Sequence, residues 1–354
     1  MGRNRKWDYS LQREGESGRS FRRRMFMEQQ TTACRMIEAP DYRISRRYAP
    51  DGELRGYSTF QTQSDVERLR SWAEVRQAFL EDLPVAPVVT RDTTYFNLKT
   101  RACFPIGDHH LGMLAWRPEV GAAYDLDIGE KLLCEAVVAL MHRVAYCSSA
   151  LLVGLGDFMH YDGTLPITQR GGNVLDNEGR YRKMIRVALR CWRTMVTQAL
   201  NLFEEVHVIV ASGNHDEFSM AFLSEALAAH YADNPRVHVD TTPGRFHYHR
   251  YGANLVGVTH GDKAKPAQLP GIMAVDRPGD WAGASHRTWW TGHVHSQRDI
   301  PYAGVNVETF GILPPGDAWS HGMGYRSRRE MKAIVLNESG GEYARYTITP
   351  EDLA

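Results

Sequence analysis

The sequence has no excess of either charge, no paired cysteines, no membrane-length apolar run and no histidine in its first 108 residues. Its 42 Lys and Arg balance 42 Asp and Glu, so whole-molecule electrostatics single out no polyanionic partner. The five cysteines, Cys34, Cys103, Cys134, Cys147 and Cys191, are odd in number and scattered, without a C-x-x-C pair. Neither a disulfide framework nor a thiolate zinc site is indicated, and a reducing compartment fits best. No apolar stretch approaches the roughly 20 residues that a membrane-crossing helix needs. The basic N-terminus is not followed by the apolar core of a secretory signal. The expected location is cytoplasmic, with no membrane partner.

What is present is uneven. All 15 histidines lie at or after position 109, which places metal or acid–base chemistry in the later part of the chain. Residues 1–95 read as an accessory region, mostly helical or irregular. It opens on Arg3, Arg5, Lys6, Arg13, Arg19, Arg22, Arg23 and Arg24 against only Asp8, Glu14 and Glu16. Such a tail reads first as a solvated, disordered segment and second as a nucleic-acid contact. Ser64-Asp65-Val66-Glu67 matches a capping box and opens a helix to about Leu80, with Val66, Leu69, Trp72 and Phe79 near one face.

From residue 96 onward strands alternate with helices, the pattern of an α/β catalytic domain running to residue 354. Strands are expected at 102–106, 150–155, 206–210, 246–251, 254–259, 288–291, 305–310 and 332–336. Helices are expected at 130–146, 179–204 and 218–231. Five polar clusters stand directly after predicted strands: Asp108-His109-His110, Gly156-Asp157, Gly213-Asn214-His215-Asp216, Thr259-His260-Gly261-Asp262 and Gly292-His293-Val294-His295. Strand ends of one sheet converge in space, so these groups can meet. They offer carboxylate, amide and imidazole but no thiol, a donor set suited to manganese, iron, zinc or nickel.

In order and spacing the five clusters closely resemble the calcineurin-like metallophosphoesterase pattern, D-x-H, GD, GNH[D/E], a lone His and GHxH, over residues 103–310. The resemblance implies two packed β-sheets flanked by helices, an αββα arrangement, with a metal pair at the sheet edges. Carried over position by position, Asp108, His110, Asp157 and His295 would hold one divalent ion. Asp157, Asn214, His260 and His293 would hold the other, with Asp157 bridging. Manganese is the first candidate, with iron, zinc, nickel or magnesium as alternatives. His215 would face the substrate phosphate and protonate the leaving oxygen, with Asp216 orienting its imidazole. The nucleophile would be a hydroxide made available at neutral pH by metal coordination.

The forms Asp108-His109-His110-Leu111-Gly112 and Gly156-Asp157-Phe158-Met159-His160 are similar to those of SbcD-type DNA-repair exonucleases, and more faintly to metallophosphoesterases of phages and prophages. In that setting the location would be the host cytoplasm. The loop at 158–178 departs from the exonuclease form, and nothing after residue 310 reads as a capping domain. His160 is a candidate substrate contact. So are Arg182 and Arg186, which with Arg190 and Arg193 form a basic helical stripe that reads equally as a track for a phosphate backbone or as a solvated face paired with acidic neighbours. Trp281, Trp289, Trp290 and Trp319 read as core more readily than as base-stacking residues. His109, His247, His249 and His321 read as ordinary histidines. Three functions stay open: a phosphodiesterase on DNA or RNA, the same chemistry on a cyclic nucleotide or other small phosphoester, and an inactive binding module. A homodimer is also left open.

Overall fold

The computed structural model describes residues 42–48, 54–61, 97–168 and 172–353. The chain divides into two compact units, Met1–Glu81 and Asp82–Ala354. In the first, β1 (Tyr42–Tyr48) pairs antiparallel with β2 (Leu54–Gln61). This hairpin is absent from the sequence expectation, because Arg43, Arg46 and Arg47 break any apolar alternation in β1. The basic tail and the capping-box helix at 64–80 lie outside the described residues.

The second unit contains two mixed sheets. One has six strands in the order β13-β12-β3-β4-β5-β6. In it β3 (Asn97–Ile106), β4 (Cys147–Gly154), β5 (Glu205–Val210) and β6 (Val237–Val239) run parallel, with β6 at one edge. Antiparallel β12 (Met331–Asn337) and β13 (Gly341–Ile348) complete one side. The other sheet runs β10-β11-β9-β8-β7, from β7 (His247–Tyr251), β8 (Asn254–Val258), β9 (His286–Thr291), β10 (Arg298–Tyr302) and β11 (Val305–Thr309). Here β8, β9 and β11 are parallel to one another.

The sheets pack face to face. Cys103, Leu151, Val153, Leu155, Ile209, Ile334 and Leu336 from the six-stranded sheet and its strand ends meet Val256, Val258, Trp290 and Phe310 from the other. Because side chains alternate along a strand, the intervening residues of β3–β5 point the opposite way, toward the helices, with Phe104 beside Phe203. Both faces are covered, which is why these strands read as continuous apolar runs. The helices are α1 (Arg117–Val120), α2 (Leu126–Arg143), α3 (Tyr181–Leu202) and α4 (Glu217–His230). The Asp125 side chain caps α2 through the Ile128 N–H at 2.7 Å. On the five-stranded side, α5 (Leu269–Asp276) and α6 (Pro278–Gly283) close over Trp289, Leu255, Val305 and Val307. A last short helix, α7 (Ala318–Gly322), precedes β12. No helix among the described residues is long and apolar enough to cross a membrane.

The tryptophans sort as expected at two positions, Trp289 and Trp290 being buried. Trp281 is half-buried under the Arg287 guanidinium, while Trp319 is exposed. On β7, His247 Nδ1 meets Asp240 Oδ2 at 3.0 Å and His249 Nε2 meets Arg101 Nη1 at 2.5 Å. Burial, and then the Arg101 charge, hold the His249 imidazole well below its ordinary value. Below about pH 6.5 the unfolded chain therefore binds a proton that the folded chain refuses, so stability falls as the pH falls. The urea midpoint in the presence of a chelator is expected to drop between pH 7.5 and 5.5, with a shallower slope in His249→Gln; equal slopes would remove His249 as a contributor.

Candidate metal centre

The five polar clusters each follow a strand. β3 leads to Asp108 and His110, β4 to Asp157, β5 to Asn214 and His215, β8 to His260, and β9 to His293 and His295. Since β3–β5 are parallel neighbours in one sheet and β8–β9 in the other, their carboxyl ends line a single edge of the sandwich.

Two donor sets form there. In the first, His295 Nε2 lies 2.9 Å from Asp108 Oδ2 and 3.1 Å from His110 Nε2. In the second, His260 Nε2 lies 3.1 Å from both Asp157 Oδ2 and Asn214 Oδ1, and the His293 ring packs 5.1 Å from that of His260. Ligand atoms of Asp108, His110 and His295 fall within 4.8 Å of one another, as do those of Asp157, His260 and His293. The fit to divalent cations is good. Imidazole nitrogens and carboxylate oxygens converge, with Asp108, His110, Asp157 and His260 buried and His293 exposed at the mouth, and their lone pairs repel unless a cation or proton lies between them. Protons do this only partly. Burial is the largest influence on His260 and disfavours its charge, yet Asp157 and Asp108 together push it up to about 10. His110 is held well below its usual value by burial and then by the neighbouring histidines, His215 first.

The backbone at these positions is strained. Among the described residues, five non-glycine residues have positive φ, and four are in the donor sets: His110 (45°), Asp157 (49°), His293 (70°) and His295 (51°). Left-handed backbone costs a non-glycine residue on the order of 1–3 kcal/mol and persists where surrounding structure imposes it, most often at functional sites. Two glycines make room for the carboxylates. A Cβ on Gly213 would sit 2.0 Å from Asp157 Oδ1, and one on Gly292 would sit 2.2 Å from Asp108 Oδ1. The Asp108 carboxylate also accepts the His293 N–H at 3.0 Å, so it fixes the turn that carries two imidazoles.

Asp216 differs from expectation. Its carboxylate does not touch the His215 imidazole. It is fully buried and accepts the backbone N–H groups of Gly213 (2.8 Å), Met159 (3.0 Å) and Asp157 (3.2 Å), tying the turn after β5 to the turn after β4. Burial and then the Asp157 charge raise it to about 7. The imidazole is oriented instead by a main-chain group, since His215 Nδ1 donates to the His160 carbonyl oxygen at 2.7 Å. No sequence pattern marks a carbonyl for such a role. The His160 side chain is buried, stacked on His215 at 5.7 Å, and its Nδ1 lies 3.3 Å from His110 Nδ1. It belongs to the wall of the centre.

His109, the neighbour between two donors, faces away and bonds the Gly129 carbonyl at 3.0 Å. His321 is bonded by Arg326 at 2.9 Å on the exposed α7. Arg182 and Arg186 stand exposed on α3, whereas Arg190 of the same stripe is forked onto Glu130.

No family model and no curated protein matches the sequence. Solved structures do. One is a conserved Streptococcus pneumoniae protein described as a predicted phosphoesterase, with 10% identity over 71% of this chain and 100% of that one and a TM-score of 0.29. A second is an archaeal phosphodiesterase, with 13% identity over 70% of this chain and 99% of that one and a TM-score of 0.33. A third is vacuolar protein sorting 29 of Cryptosporidium parvum, with 12% identity over 71% and 98% and a TM-score of 0.31. The two mixed sheets flanked by helices are the arrangement that the sequence resemblance implied. The resemblance to calcineurin-like metallophosphoesterases holds at the level of fold.

Proposed function

We propose that the chain is a dinuclear-metal-dependent phosphodiesterase acting on nucleic acid. The observation that carries the reading is the pair of neighbouring donor sets, with four of their members held in left-handed backbone. Asp108, His110, His295 and Asp157 would hold one divalent ion, and Asp157, Asn214, His260 and His293 the other. Such a pair, when bound, supplies Lewis-acid stabilisation and an activated water for in-line displacement at phosphorus. The chain supplies the rest. His215, with Nδ1 committed to the His160 carbonyl, keeps Nε2 to present a proton to the leaving oxygen. Asp157 Oδ1 accepts the His215 N–H at 2.7 Å, which ties the acid to the donor set.

Nucleic acid as substrate is supported by the rim. Phe218 follows shortly after His215 and is exposed, and the exposed Trp319 lies two residues beyond Asp317, whose charge acts on His160. Trp116, also exposed, immediately precedes α1, which packs against α7. Exposed flat rings of this kind suit unstacked bases, and the exposed Arg182 and Arg186 suit a continued backbone.

The test is a substrate panel with added Mn²⁺ containing single- and double-stranded DNA, RNA, cyclic nucleotides and bis(p-nitrophenyl) phosphate. Hydrolysis of single-stranded DNA or RNA, falling steeply with salt, is the expected result. Turnover confined to cyclic nucleotides would move the assignment to small phosphoesters, and no diester turnover would remove it. Gly213→Ala offers a geometric check. The added methyl must displace Asp157, and a shift of about 1 Å costs on the order of 10²-fold in rate. A variant with unchanged kcat/KM would show that the close approach is dispensable.

A further inference from the structure

We propose a second metal site, separate from the first, in which Glu205, His207 and His238 take one borderline transition-metal ion such as Zn²⁺, Ni²⁺ or Cu²⁺. It lies at the opposite end of the parallel strands. On β3 the cluster is marked by Arg101 and the catalytic end by Asp108, seven residues or roughly 23 Å further along an extended chain.

Strand geometry builds the site. Glu205 and His207 are two apart on β5 and so share one face. His238 stands directly opposite His207 in the parallel β5–β6 pairing. The two rings stack at 4.8 Å, and each presents Nε2 to a different oxygen of the same carboxylate: His207 to Oε2 at 3.1 Å and His238 to Oε1 at 2.9 Å. All three ligand atoms lie within 4.8 Å of one another. His207 Nε2 is buried and faces Glu205 Oε2 at 3.1 Å, so imidazole nitrogens and carboxylate oxygens converge on one point that a cation would satisfy.

The surroundings fix the donors and keep a way in. Arg101 grips Glu205 Oε2 at 3.1 Å while its Nε donates to Ser149 Oγ at 2.9 Å and its Nη1 meets His249. That anchors the carboxylate and leaves Oε1 free of the guanidinium. The side chains of Glu205 and His238 are 40% and 49% exposed, so an ion reaches them from solvent. Two imidazoles and a carboxylate suit zinc and its later first-row neighbours rather than magnesium or calcium. The Arg101 charge opposes the ion, which favours reversible binding over a permanent structural metal. An ion here would clamp β6, a three-residue edge strand, onto β5.

Equilibrium dialysis of the full chain against Zn²⁺, with bound metal counted by atomic emission, tests the proposal. His238 is half-exposed at a sheet edge, so His238→Ala is expected to fold, to bind one ion fewer per chain than the wild type, and to keep its Mn²⁺-supported activity. The zinc-induced rise in Tm is expected to shrink with it. Asp157→Asn separates this site from the catalytic one: it should retain a zinc ion that the double variant with His238→Ala loses. Equal zinc content in wild type and His238→Ala, or none in Asp157→Asn, would overturn the second site without touching the phosphodiesterase reading. Loss of diester hydrolysis across the whole panel with the zinc difference intact would do the reverse.

Discussion

An Asp157→Asn variant is expected to lose diester hydrolysis by at least about 10²–10³-fold, the range seen when one group stabilising developing charge is removed. The wild-type carboxylate serves three neighbours. Oδ1 accepts the His215 N–H, Oδ2 faces His260 Nε2, and the residue belongs to the donor set beside His293. Asparagine keeps the size and one acceptor oxygen, and it tolerates left-handed backbone better than most residues, so the φ of 49° at this position is not an obstacle to folding. What disappears is the charge. Without it the proposed metal pair loses the anion assigned to bridge it, and His260 loses the first of the carboxylates that raise it. Mn²⁺ affinity is expected to fall together with kcat, read by calorimetric titration and initial rates, with an unchanged circular dichroism spectrum. A rate within tenfold of wild type would exclude Asp157 as the bridging group.

The second large effect concerns His215. Replacement by alanine is expected to lower kcat about 10²–10⁴-fold on an unactivated diester, the usual contribution of a positioned proton donor. With a p-nitrophenolate leaving group, which departs without a proton, the loss should be far smaller. That contrast separates acid catalysis from phosphate binding, because a residue that only held phosphate would affect both substrates alike. Metal content should be unchanged, since His215 stands outside both donor sets in this assignment. A uniform loss on both substrates would reassign His215 to binding.

Much of this was legible in the sequence, for definable reasons. The central strands are apolar runs because both their faces are covered, and each ends in a polar cluster because the carboxyl edge of the sheet is where the chain turns outward. Edge elements were not legible. β10 carries Pro301 and mostly exposed residues, and β13 has only two buried positions, so neither shows the pattern of a covered strand. The α5–α6 pair is short and interrupted by Pro270, Gly271 and Pro278, which hides its helical period although Leu269 and Met273 are buried under it. At the site, residue type and order were enough to single out the Asp and His side chains that the fold brings together. The partner of His215 could not, because a main-chain carbonyl carries no residue identity. The same limit explains Asp216: an aspartate beside a histidine invites pairing, but three main-chain N–H groups compete for it and hold it.

The left-handed backbone at His110, Asp157, His293 and His295 also bears on how the protein responds to selection. At each position glycine relieves the conformational cost, and asparagine does so in part. The substitutions that steady the scaffold are thus those that strip the centre of its donors. A population screened only for thermal tolerance would drift toward glycine at these four positions, growing sturdier as it grew inert. Durability in this chain would have to be sought elsewhere, at the sheet edges and on the outer helices, where no ligand depends on an unfavourable turn.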